Sequence, residues 1–162
     1  MTLNSKRILG LALAICCLPI IAGQSSKRIF RYVDIEPNGS IELGKQFGDL
    51  RTISIELEPS VFRLNQGTFI GAREITVRLA PTGKVACVEF DYSAEDNFDE
   101  TVAEYWWTLG KPITRDLSSR GNTIVWEDKK TSFALVQAQD GPIRSVLADK
   151  KLCEERSRLT CR

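Results

Sequence analysis

The side chains that could do chemistry in this chain are carboxylates, thiols and a tryptophan pair, because the sequence contains no histidine. Serine and cysteine triads of the common kind use an imidazole as proton carrier, and zinc hydrolases use it as a ligand. Both classes are disfavoured. The catalytic options that remain are a carboxylate pair, a lysine-activated serine or a lone thiol; for the first, Glu89, Asp91, Glu95, Asp96, Asp99 and Glu100 form an acidic cluster that could supply a glycosidase with its acid and base. The competing explanation is helix capping plus solvated strand faces, which accounts for every member of the cluster. A calcium loop counted from Asp91 places Ser93, Glu95, Asn97 and Asp99 at alternating positions. It lacks the turn glycine, replaced by Asp96, and the bidentate glutamate, replaced by Val102. No cofactor is expected.

Trp106 and Trp107 are the second candidate site. Phe98, Val102, Tyr105 and Leu109 recur at i, i+4, i+7 and i+11, one stripe of a 3.6-residue helix. Trp106 lies beside that stripe, and Trp107 lies on the far side with Glu100 and Glu104. Exposed tryptophans are uncommon and are enriched at binding hot spots. Trp107, Trp106 and Glu104 are therefore the candidate binding residues. The plainer expectation is that the loop from Pro59 to Gly71, which carries Phe62, Leu64 and Phe69, covers Trp107.

The elements that must position these residues are legible in part. Asn97 can cap the helix and Glu100 stands where a capping box needs it, with Asp99 and Glu100 favoured by the helix dipole. Gly110 terminates the helix and Pro112 cannot continue it. Arg73 to Ala80 alternates, Pro81-Thr82-Gly83 turns, and Lys84 to Tyr92 returns, which predicts an antiparallel hairpin. Asn122 to Glu127, Thr131 to Gln137 and Ile143 to Ala148 predict a three-stranded meander. Further upstream, Ile29 to Ile35 reads as a weak strand, Pro37-Asn38-Gly39-Ser40 as a turn, Gln46 to Leu50 as a short helical turn and Thr52 to Glu58 as a strand. The expected fold class is α+β: an antiparallel sheet, hairpin plus meander, with one well-defined helix packed on it.

The N-terminus reads as an export signal over residues 1–23: Lys6 and Arg7 precede an apolar run from Ile8 to Ile21, and Ala22-Gly23 offers small residues for cleavage. The run is shorter than the roughly 20 residues that span a bilayer as a helix, so no transmembrane segment is expected in the mature chain. Lipidation at Cys16 or Cys17 is the competing reading, set back because Ile15 or Cys16 stands where a small residue normally precedes the lipidated cysteine. The mature chain reads as one domain over residues 24–149 and a charged C-terminal tail over 150–162, poorly ordered unless a disulfide ties it down. The formal charge of the whole chain is +1, with Lys6 and Arg7 in the leader, so nothing points to nucleic acid.

Export to the periplasm, or out of the cell, makes the cysteines of the mature chain disulfide candidates. Cys87, Cys153 and Cys161 are an odd number. A Cys153–Cys161 bridge that staples the tail is the first choice, and Cys87 with Cys161 or Cys153 is the competitor. A Cys87 left over would be a buried small hydrophobe.

The pattern Phe98-Asp99-Glu100-x-Val102, with Leu109-Gly110-Lys111-Pro112 closing the helix and strands containing Trp126-Glu127-Asp128 and Thr131, resembles helix-plus-meander modules of bacterial envelope proteins. The nearest families are the SmpA/OmlA-type outer-membrane assembly lipoproteins and the β-lactamase inhibitory proteins, which look like two such units in tandem. Gly44 to Asp91 reads as a diverged first unit with a much poorer helix. The resemblance implies a noncatalytic protein that presents a sheet face or loops to a protein partner. The expected function is thus binding by protein contacts, as an envelope assembly factor or an inhibitor or immunity-type protein. The alternatives are a small secreted hydrolase using a carboxylate pair, and a module for a small molecule or glycan.

Overall fold

A computed structural model describes residues 28–37, 39–65, 71–93, 95–118, 121–139 and 141–160, with the backbone alone for Ser118 and residues 156–160. The expected export signal, the candidate lipidation cysteines Cys16 and Cys17, Asn38, Phe69 and Cys161 lie outside the described residues.

Alternating sequence becomes a sheet with one apolar face. Eight strands pair antiparallel: β3 (Ser54–Glu58), β4 (Val61–Leu64), β5 (Glu74–Leu79), β6 (Val85–Asp91), β7 (Thr114–Ser118), β8 (Gly121–Glu127), β9 (Thr131–Ala138) and β10 (Ile143–Asp149). Their order in space is β3-β4-β5-β6-β10-β9-β8-β7. The two consecutive meanders therefore meet at their last strands, and β6 and β10 form the centre. Register carries one row of side chains across the join: Trp126 opposes Phe133, Phe133 opposes Leu147, Leu147 opposes Val88, Val88 opposes Val77 and Val77 opposes Phe62. All of them are buried. Because side chains in a strand alternate between faces, this row defines the core side of the whole sheet.

Three elements cover that side. A small hairpin of β1 (Tyr32–Ile35) and β2 (Gly39–Glu42) buries Val33, Ile35 and Ile41. A 3-10 turn over Gly48–Ile53 places Leu50 in the core, and Phe47 just before it meets the Phe62 ring at 5.3 Å. The helix α1 (Phe98–Leu109) buries Phe98, Val102, Tyr105 and Leu109, the stripe expected from spacing. Asn97 caps it, accepting from the amides of Asp99 (2.9 Å) and Glu100 (3.3 Å). Gly110 ends it with a φ of 81°, which disfavours any residue with a Cβ, and its carbonyl accepts the Trp126 indole N–H at 2.8 Å.

The arrangement is α+β with the sheet dominant, and it departs from the sequence reading in several places. The span from Pro59 to Gly71 contains β4. Pro59 and Ser60 make a two-residue turn, with Ser60 at φ 65°, and the following Val61-Phe62-Arg63-Leu64 joins the sheet between β3 and β5. The second meander has a fourth strand, β7, at the sheet edge; its Thr-Arg-Asp-Leu-Ser sequence has no buried face to write an alternating pattern. The C-terminal segment forms a helix, α2 (Lys150–Thr160), where the sequence predicts a poorly ordered tail. Asp149 supplies the reason: its carboxylate accepts the Leu152 amide at 3.1 Å, as an N-cap does, and Lys150 N donates to Lys130 O at 2.9 Å.

Candidate functional site

The outer side of α1 and the edge strand β7 enclose a groove. β7 continues the sheet one strand past β8, and register places Arg115 opposite Ile124, on the core side where α1 lies. The helix does not reach over this edge. The result is a hollow of about 390 Å3 between helix and strand, lined by Asp99, Val102, Ala103, Trp106, Trp107 and Arg115. Asp99, Ala103, Trp106 and Trp107 share a helix face because they stand at i, i+4, i+7 and i+8. Trp107 is 85% exposed, Trp106 39%, Ile113 61% and Leu117 50%. Of the span expected to cover Trp107, Phe62 and Leu64 are instead buried in β4.

Of the sequence-derived binding residues, Trp106 and Trp107 come together in this groove, while Glu104 lines a different hollow. That second cavity, about 190 Å3, is bounded by Tyr92, Asp96, Asn97, Glu100, Thr101 and Glu104. At its base the Tyr92 hydroxyl lies 2.7 Å from that of Tyr105 and 3.2 Å from Ser145 Oγ. Burial pushes both phenols up from their ordinary values, so they remain neutral hydrogen-bonding groups that tie α1 to β10. Sequence spacing had no means of finding Arg115 as a neighbour of the tryptophans, since it belongs to an edge strand with no local signature.

The sheet divides the acidic cluster. Glu89 and Asp91 leave β6 on the side opposite Val88 and Phe90, where Glu89 pairs with Arg78 and Asp91 with Arg144 at 2.6 Å. Those carboxylates raise the pKa of both guanidinium groups through hydrogen bonding, against the opposing effect of burial. Asp96, by contrast, stands at the entrance to α1 and accepts the Ser93 amide at 2.6 Å. Glu89 and Asp91 thus cannot face the same substrate as Asp96, Asp99 and Glu100. Among the described residues no group of three or more His, Cys, Asp or Glu side chains is placed to hold a metal ion. No helix among them is long and apolar enough to cross a membrane.

The remaining thiol candidates also find a place. Cys87 is buried on the outer side of β6, and Cys153, in the first turn of α2, lies close to it. Cys153 Sγ also lies 3.4 Å from the Ala86 carbonyl oxygen. Comparison of the chain with family models, curated proteins and solved structures returns no match.

Proposed function

We propose that the chain is an exported, non-enzymatic binding protein that acts through protein–protein contacts in the periplasm or outside the cell, with the α1–β7 groove as its contact site. The single observation that carries this reading is the aromatic surface there: Trp107 stands 85% exposed beside Trp106 in the groove that both line. Exposing a large aromatic side chain has a cost in water that burial against a partner removes, and tryptophans dominate such contacts. Asp99 and Arg115 supply opposite charges at the groove. They suit a partner surface that is apolar at its centre and polar at its rim.

The order of elements supports a finer reading, that two diverged helix-plus-sheet units stand in tandem. A short helical element precedes β3 to β6, and α1 precedes β7 to β10; the halves then meet at β6 and β10. That order fits the expectation drawn from the SmpA/OmlA-type and β-lactamase inhibitory families, with an envelope assembly factor or an inhibitor or immunity-type protein as the class of activity. The hydrolase alternative is weakened by the division of the carboxylates between two sides of the sheet.

The test is a pull-down from the native envelope with the mature protein and with Trp107→Ala and Trp106→Ala variants of unchanged thermal stability. Loss of bound protein from the variants supports the groove; an unchanged set of partners removes it as the contact site.

A further inference from the structure

The helix α2 brings together two thiols distant in sequence, Cys87 and Cys153. The helix follows β10 without a linker, and β10 pairs with β6 so that Ala148 opposes Cys87. Five residues after Ala148, the first turn of α2 carries Cys153 back over the same point of the sheet. There Cys153 Sγ lies 3.4 Å from the carbonyl oxygen of Ala86, the residue before Cys87, which sets the two thiols side by side.

We propose that Cys87 and Cys153 form an intramolecular disulfide in the oxidised protein, fastening α2 to the outer side of β6 and leaving Cys161 as the odd thiol. The α-helical conformation from Cys153 to Thr160 argues for this pairing over Cys153 with Cys161. Seven steps at about 1.5 Å rise separate the ends of that segment by roughly 10 Å. A disulfide needs Cα atoms about 4.4–6.8 Å apart, so a bridge within the tail requires the last turns of α2 to unwind.

The chemistry balances with a disulfide oxidant, such as glutathione disulfide or an oxidised dithiol catalyst. Cys153 is the accessible partner, half-buried where Cys87 is buried. Its thiolate attacks one sulfur of the oxidant, forming a mixed disulfide and expelling the first thiol. Cys87 then loses its proton and attacks the Cys153 sulfur, expelling the second thiol. Two thiols have been oxidised and one external disulfide has been reduced to two thiols. In the dithiol, the contact with Cys153 and then burial push the Cys87 thiol pKa up, which places the first attack on Cys153.

Mass spectrometry of the mature protein, treated with glutathione disulfide and then alkylated without reduction, tests the pairing. The expected result is a linked pair of peptides containing Cys87 and Cys153, with Cys161 carrying the alkyl group or a glutathione. A peptide bridged between Cys153 and Cys161, or alkylation of all three thiols, overturns it. Thermal unfolding gives an independent reading in the Cys161→Ser variant. Dithiothreitol should lower Tm by on the order of 10 °C, because the bridge closes a long loop. The same reductant should leave Tm unchanged when Cys153→Ala or Cys87→Ala is added. An equal Tm with and without reductant in the Cys161→Ser protein would overturn the proposal. Both readings are indifferent to the presence of a protein partner, so they stand or fall separately from the α1–β7 groove.

Discussion

The two halves of the eight-stranded sheet have the same strand order and different coverings. In the half made of β3 to β6, the helical element is the short turn at Gly48–Ile53, which has no side-chain cap. It buries Leu50, with Phe47 just before it against the Phe62 ring, and Arg51 stacks over Phe62 at 4.8 Å. In the half made of β7 to β10, α1 runs three turns, is capped by Asn97, and packs Tyr105 against Trp126 and Phe133, with ring centroids 6.2 and 4.5 Å away. The N-terminal segment adds cover on both sides of the β6–β10 join: Phe30 lies 5.4 Å from Phe133 of β9, and the Gly44 amide donates to Val85 O of β6 at 2.8 Å. The difference teaches that an apolar sheet face can be closed by one strong helix or by several weak pieces. Only the strong helix has an outer face that carries exposed tryptophans.

Substitutions in the two cores should break this comparison most visibly. Trp126→Ala is expected to cost about 4 kcal/mol, since it opens a cavity under α1 and removes the hydrogen bond to Gly110; Phe62→Ala should cost about 3 kcal/mol. Urea unfolding of the two variants measures both, and a larger loss at Phe62 would reverse the ranking of the halves. Tyr105→Phe should come next, at about 1–2 kcal/mol, because the buried Tyr92 hydroxyl loses one of its two partners. Asn97→Ala should cost about 1 kcal/mol through loss of the cap, a contribution with no counterpart at the uncapped turn of the other half.

Acid sharpens the comparison at the seam. Burial alone would raise the Asp149 pKa, but the hydrogen bond from Arg31 and the Leu152 amide outweigh it and hold the carboxyl below its ordinary value of 3.8. Asp128 is lowered in the same way, its burial overcome by the amides of Lys130, Thr131 and Ile29. A depressed folded-state pKa means stability that is complete above the unfolded value and is lost as pH falls through the folded one. Stability should therefore decline below about pH 4, and Arg31→Ala should flatten that decline in circular-dichroism melts taken at pH 2 to 6. A slope unchanged by Arg31→Ala would take this ion pair out of the account. The smallest effect is expected at Trp107→Ala, within about 0.5 kcal/mol of wild type, because the side chain is mostly in water. A large loss at Trp107 would mean that it serves the fold, and the contrast between a structural inner face and a binding outer face of α1 would disappear.

Much of this architecture was legible residue by residue. The 3.6-residue stripe of Phe98, Val102, Tyr105 and Leu109, the Asn97 cap and the Gly110 stop describe α1, because each depends on neighbours within a turn or two. The β5–β6 hairpin and the last three strands are equally local, since alternation and turn residues are written in short windows. Half of the candidate site, the tryptophan pair, followed from helix geometry alone.

What only the tertiary structure decided are the features whose partners lie far away in the chain. β4 and β7 are strands because neighbouring strands accept them, and the polar sequence of β7 shows no period because its edge position leaves it exposed. The joining of β6 to β10 places Glu89 and Asp91 on the opposite side from Asp96, and that division takes apart an acidic cluster that is continuous in sequence. The same joining carries Cys153 onto Cys87 and lets Asp149 cap α2. Composition and spacing by themselves determine which segments have a face to bury; long-range register determines which side that face is on, and hence that Trp107, with Arg115 across the groove, is left in the open.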